Sequence, residues 1–161
     1  LSSSSAASDV YKRQVVDKSA GELRAYDLQP FAAAVEAGVD VVLVAHISYP
    51  ALDAENIATL SSAVITDLLR GELGFTGIVM SDDFRMGGLT GQCPAGEAAV
   101  RFLLAGGDLI LCGPRHDLQR EIMEGLRAAV ADGTLSEARI DESVLRIVQK
   151  KMEVTGWSPL E

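Results

Sequence analysis

The sequence is short of the residues that would staple it, anchor it in a bilayer or draw it to nucleic acid. Two cysteines in 161 residues, Cys93 and Cys112, stand far apart and outside any metal-type spacing, which excludes a disulfide framework and a cysteine-built zinc site. Both read as ordinary buried thiols. No apolar run approaches the roughly 20 residues that a membrane-crossing helix needs. Basic residues are scarce, 14 Lys+Arg against 23 Asp+Glu for a formal net charge of −9. Affinity for nucleic acid or an anionic membrane comes mostly from neutralising phosphates, so both are argued against as partners. A neutral or cationic small molecule suits this balance better. With 48% hydrophobic and 23% charged residues the composition is that of an ordinary globular chain. No motif calls for a metal or a cofactor.

The first fourteen residues differ from the rest. Leu1 to Ala7 is small, polar and serine-rich, with neither the apolar core of a signal peptide nor helical periodicity. The stretch SSAASDVYKRQ, ending at Gln14, resembles the in-frame translation of a sequencing-library adapter. On that reading residues 1–14 are a non-native leader and residues 15–161 are the domain. The lack of a targeting signal then says nothing about location, although the cytoplasm is favoured. A genuine disordered leader is the alternative.

From Val15 onward the chain repeats one pattern. AGVDVVLV, from Ala37 to Val44, and AGGDLILC, from Ala105 to Cys112, each run from a helix end through glycine and aspartate into an apolar strand. LGFTGIVM, from Leu73 to Met80, supplies a third helix end and strand between them. This is a βα repeat, and Gly38, Gly74 and Gly106 sit where a left-handed residue closes a helix. Helices are predicted over 22–37, 62–72, 94–105, 118–131 and 141–155, the first with a buried stripe of Leu23, Leu28, Phe31 and Val35. The last should start at an Asp141 cap and stop before Gly156, with Lys150 and Lys151 favouring its dipole.

The densest chemistry lies in GFTGIVMSDDFRM, Gly74 to Met86. Ile78, Val79 and Met80 show no polar alternation, which suits a parallel strand covered on both faces, and the paired acids Asp82 and Asp83 follow at its carboxyl end. That mouth is where α/β folds keep reactive groups. Equally, Asp83 or both acids can cap the next turn. Strand parity sends adjacent side chains to opposite faces, so the two acids cannot play equal roles. Three βα units with no interrupting hairpin leave an eight-stranded barrel or an open doubly wound sheet. A complete barrel takes about 250 residues, so the barrel reading makes this the C-terminal portion of a (β/α)8 TIM barrel, about three βα units of an α/β fold.

Gly74 to Met86, preceded by VAHI (Val44 to Ile47) and LLRGEL (Leu68 to Leu73), resembles glycoside hydrolase family 3, in its β-N-acetylhexosaminidase branch. The resemblance covers about Val15 to Trp157. It implies a retaining, exo-acting glycosidase that removes terminal N-acetylglucosaminides, in cell-wall peptidoglycan turnover or recycling, without a cofactor. Asp82 matches the nucleophile, and Asp83 stands where family β-glucosidases usually carry an aromatic residue. His46 matches a mouth position and lines the sugar pocket, unless it only hydrogen-bonds within the rim. Asp83 acts from behind Asp82 or caps the turn, with Arg85 beside the acids or in solvent. The branch carries its acid/base histidine in an Asp-x-His motif just upstream of the stretch matching Val15, with a Lys-His substrate-binding motif further upstream. Neither His46 nor His116 has the Asp-x-His context, so the segment alone is expected to be inactive.

Other classes remain open at this point. A family 3 β-glucosidase-like enzyme or a phosphorylase would share most of these residues. A phosphate-binding barrel synthase or aldolase would use a loop such as Gly113 to His116 before a helix. That loop lacks a glycine-rich nest, and no strand ends in a Schiff-base lysine. The third possibility is an incomplete fold with no activity of its own.

Overall fold

A computed structural model of the chain describes residues 14–156. Apart from Gln14, the leader expected over residues 1–14 lies outside the described residues. The strands are Gln14–Val15 (β1), Val41–Val44 (β2), Ile47–Ser48 (β3), Ile78–Asp83 (β4) and Leu109–Leu111 (β5). β2, β4 and β5 form one parallel sheet in the order β2-β4-β5, while β1 pairs in parallel with β3. The helices are Ala20–Glu22 (α1), Gln29–Glu36 (α2), Gly87–Thr90 (α3), Ala95–Leu104 (α4), His116–Ala131 (α5) and Glu137–Thr155 (α6). The three expected βα units are therefore present, in a parallel TIM-barrel-like α/β arrangement.

The two helices expected between β1 and β4 differ from a 3.6-residue repeat. Leu23–Asp27 and Ala63–Glu72 wind as π-helix, closed by Leu28 N–H to Leu23 O at 2.8 Å and Leu73 N–H to Leu68 O at 2.9 Å. A π turn inserts one residue into the repeat and shifts the phase of everything after it. Leu23 is buried as predicted, but Phe31, predicted in the same stripe, is 47% exposed. The last helix also starts earlier than expected: Ser136, not Asp141, is its cap, accepting from Arg139 N–H at 3.2 Å. It ends at Gly156 in the left-handed region, as the sequence indicates.

The core gathers on the helix side of β4. Val79, Phe84, Phe102, Ile65 and Leu89 form one buried cluster there, and α4 meets α5 where a Cβ on Gly125 would lie 2.5 Å from the Gly96 Cα. Only paired glycines allow that approach. The opposite face is open on the flanking strands, with Val41, Leu43, Leu109 and Leu111 at 37–44% exposure. Among the described residues, β2 and β5 each pair on one side only.

The amino ends of the strands converge on Asp108, whose side chain is fully buried before β5. Its carboxylate accepts from Arg70 Nη2 at 2.6 Å, Arg146 Nη1 at 3.0 Å, Ser143 Oγ at 2.7 Å and Val79 N–H at 2.9 Å. Arg139 stands 3.7 Å away. One carboxylate thus joins β4, β5, α6 and the π-helical Ala63–Glu72.

Candidate active site

β4 continues past its apolar residues through both acids, and its pairing slips there. Met80 faces Leu109 and Asp83 faces Leu111, so three steps on β4 match two on β5, which is a β-bulge. The Ser81 hydroxyl accepts from Leu111 N–H at 3.1 Å, and Phe84 N–H donates to Leu111 O at 2.9 Å, holding the strands on either side of it. Bulges re-aim side chains at strand ends. Here Asp82 lines a cleft of about 150 Å³ with Gln14, Ala45, His46, Ile47, Met86 and Gly88. The cleft sits at the carboxyl ends of β2 and β4.

The two acids part company. Asp82 Oδ1 accepts from the Asp83 N–H at 2.8 Å, and among the described residues no cation pairs with the Asp82 carboxylate. Asp83 turns to Arg85, accepting from its N–H at 3.0 Å and from its Nε at 2.8 Å and also from Nη2. The Arg85 guanidinium bond holds the Asp83 carboxyl below the ordinary carboxylate range, against a smaller opposing effect of burial. Asp83 therefore caps the following turn and anchors Arg85, while Asp82 is left toward the cleft.

His46 is 5% exposed. Burial pushes its ring below the usual histidine range, opposed by the Asp83 carbonyl and by the charges of Asp82 and Asp83. A carbonyl only accepts, so Nε2 carries the proton and donates to Asp83 O at 3.1 Å. Nδ1 faces the Thr59 hydroxyl at 2.8 Å, and that hydroxyl, with its one proton, donates to the Ala45 carbonyl at 3.0 Å. The ring meets Phe84 edge-on with centroids 6.1 Å apart, and Phe84 meets Phe102 likewise at 6.3 Å, which ties the rim to the core.

Sequence reading thus brings Asp82 and His46 to one cleft. His116 lies apart, at the exposed first residue of α5, 3.3 Å from Gln119. Thr59, Ser81 and Gly88 were not anticipated. A Cβ on Gly88 would lie 3.2 Å from the His46 Cβ and 3.3 Å from its carbonyl, so only glycine fits comfortably over the histidine. The Gly-Gly break at 87–88 was visible in the sequence, but not what it packs against. A Cβ on Gly113 would lie 2.6 Å from Arg85 Cζ, so the loop that the phosphate-binding alternative would use packs against an arginine paired with Asp83. Larger hollows lack comparable chemistry, among them one of about 250 Å³ beside the ion-paired Arg24 and Glu72. Another of about 270 Å³, at the amino ends of the strands, is lined by ion-paired Asp40 and Lys150, and a third, of about 280 Å³, is an apolar groove beside Leu23 and Phe31. Among the described residues no group of three or more His, Cys, Asp or Glu could hold a metal ion, and no helix is long and apolar enough to cross a membrane.

A parallel βα sheet with a carboxylate lacking a cationic partner at the carboxyl end of its central strand is the build of a barrel-type α/β enzyme domain. The chain belongs to glycosyl hydrolase family 3: the profile described as "Glycosyl hydrolase family 3 N terminal domain" matches residues 3–150. It is 38% identical over 146 residues to a beta-hexosaminidase of Stenotrophomonas maltophilia (strain K279a), covering 80% of this chain and 42% of that protein. It is 35% identical over 131 residues to a beta-N-acetylglucosaminidase/beta-glucosidase of Cellulomonas fimi, covering 75% of this chain and 23% of that protein. Among solved structures, a glycoside hydrolase family 3 beta-N-acetylglucosaminidase from Paenibacillus sp. str. FPU-7 superposes with a TM-score of 0.88 at 38% identity, over 92% of this chain and 29% of that one. The chain spans less than half the length of these relatives.

Proposed function

We propose that the chain is the nucleophile-bearing part of a retaining, exo-acting β-N-acetylhexosaminidase that hydrolyses terminal N-acetylglucosaminides. The observation that carries this reading is the division of labour at the end of β4: Asp83 is tied to Arg85, whereas Asp82 lines the cleft with its carboxylate free of any cationic partner among the described residues. Retaining cleavage needs such a group. The carboxylate attacks the anomeric carbon as the glycosidic bond breaks, the leaving oxygen takes a proton from a general acid, and water then releases the sugar from the aspartyl ester with the configuration kept.

Neither histidine of the chain suits the acid. His46 has both ring nitrogens engaged by protein atoms, and His116 is exposed at the start of α5, outside the residues that line the cleft. The reading therefore takes the acid from a residue outside the described cleft, as family resemblance implies, and expects the segment alone to be inactive. A role in peptidoglycan turnover fits an N-acetylglucosaminide substrate. A β-glucoside is the second reading, favoured by the likeness to the Cellulomonas fimi protein, which is named for both activities.

The test uses a full-length family 3 hexosaminidase carrying this segment and an aryl β-N-acetylglucosaminide. Asp82→Ala should abolish turnover and, with added azide, yield the α-glycosyl azide, because a small anion then attacks where the carboxylate did. Asp83→Asn should cost far less. Equal losses, or no azide product, would reject the assignment.

A further inference from the structure

His46 does more in this fold than line the cleft. Its Nε2–H reaches the Asp83 carbonyl across the β2–β4 gap at 3.1 Å, beyond the last ladder pair, Val44 with Ser81. The Asp83 N–H, at the other end of the same residue, holds Asp82 Oδ1 at 2.8 Å. Past Asp83 the strand is pinned by Phe84 N–H to Leu111 O, while the bulge loosens the pairing before it. The histidine is in turn held from several sides. Thr59, fully buried, holds Nδ1 at 2.8 Å and lies 3.0 Å from the Ala45 carbonyl, Phe84 packs against the ring, and Gly88 closes over its Cβ.

We infer that His46 is a positioning residue: through the Asp83 backbone it fixes where the Asp82 carboxylate stands at the bulge, and it does not itself bind the sugar by a ring nitrogen. The catalytic consequence rests on the proposed role of Asp82, but the linkage Thr59, His46, Asp83, Asp82 stands on geometry alone. A strand end carrying a bulge needs a fixed point from outside the ladder, and His46 supplies it from the neighbouring strand. Small displacements of a reacting group are costly, with a misplacement of about 1 Å able to cost about 10²-fold in rate. The ring suits this task, because it presents a donor to the carbonyl and a second polar nitrogen to the hydroxyl. Glutamine has the same pair of functions.

The test measures kcat, KM and the Kd for N-acetylglucosamine in a full-length family 3 enzyme carrying this segment. His46→Ala should lower kcat about 10²-fold, with KM and the Kd for N-acetylglucosamine changed less than about threefold. His46→Gln should recover at least a tenth of the wild-type kcat. Should His46→Ala fail to fold, Thr59→Val, which removes the hydroxyl that faces Nδ1, should give an intermediate loss of kcat with N-acetylglucosamine binding retained. A tenfold or greater weakening of N-acetylglucosamine binding with kcat preserved would make His46 a sugar contact and overturn the inference, as would unchanged kcat in a folded His46→Ala or Thr59→Val protein. The Asp82 reading fails separately, through activity that survives Asp82→Ala whatever the His46 variants do.

Discussion

The two ends of this sheet carry aspartates in opposite circumstances. At the amino end Asp108 is fully buried and surrounded by Arg70, Arg139 and Arg146, with Ser143 and the Val79 N–H completing its shell. At the carboxyl end Asp82 faces a cleft and accepts one hydrogen bond from the next residue's backbone. A carboxylate so thoroughly paired is spent on holding elements together, because every lone pair that could act on a substrate is occupied. A carboxylate left without a cationic partner at a strand mouth contributes little to folding and keeps its oxygens available. Barrel folds divide stability and chemistry between their two faces in this sense. Asp40, which matches Asp108 in the repeat, shows that sequence position alone does not decide the matter: it is exposed and paired with Lys150 at 2.7 Å.

The contrast is sharpest if the two ends are mutated in parallel in a full-length enzyme carrying the segment. Asp82→Asn should reduce kcat by on the order of 10⁴-fold or more, as loss of a nucleophile does elsewhere, while shifting unfolding free energy by less than about 0.5 kcal/mol. Asp108→Asn should do the reverse. It leaves three guanidinium groups without their shared anion, and denaturant unfolding should show a loss of about 3–5 kcal/mol; a stable Asp108→Asn protein would dissolve the comparison.

Acid titration of stability separates the ends more finely. Burial holds His46 below its ordinary value of 6.5, so the unfolded chain takes up that proton first, and stability should begin to fall as the pH drops below about 6.5. Asp53, behind the rim, is resisted by burial but drawn down to about 2 by Ser61, Asn56 and the Glu55 N–H. Its contribution is complete above its ordinary 3.8 and is lost as the pH falls toward about 2. Melting temperatures followed from pH 8 to pH 2 should therefore show an upper step that His46→Gln deletes and a lower step that Asp53→Asn deletes. The smallest effect belongs to the surface: Arg24 and Glu72 form a two-pronged pair at 2.7 and 2.8 Å, but both are over 40% exposed, and Arg24→Gln should leave the melting temperature unchanged within error.

The carboxyl end was the more legible of the two. Apolar Ile78 to Met80 followed by two acids marks a strand mouth in the sequence itself, and Gly38, Gly74 and Gly106 mark helix ends through the left-handed conformation they adopt, at φ 79°, 73° and 105°. Asp83 and Arg85 lie two residues apart, so their turn is a local event that the sequence contains. The amino-end cluster brings Arg70, Asp108 and the helical pair Arg139 and Arg146 together from three separate parts of the chain, and nothing local in the sequence marks it. Thr59 was hidden for the same reason, since its partner His46 lies thirteen residues away across a loop. The π-helical stretches escaped because apolar periodicity assumes an α-helical turn, and Phe31 fell out of the predicted core with them. The bulge, which decides how the acids are aimed, depends on pairing with β5 and has no signature in β4 alone.

The central claim is that Asp82 forms the glycosyl-enzyme bond, and a covalent trap tests it most directly. A full-length enzyme carrying this segment would be incubated with a fluorinated N-acetylglucosaminyl fluoride, whose ester with the enzyme forms faster than it hydrolyses, then digested and sequenced by mass spectrometry. The account predicts a single added sugar on Asp82 and none on Asp83. An adduct on Asp83 or on any other residue, or turnover that survives Asp82→Ala, would contradict it.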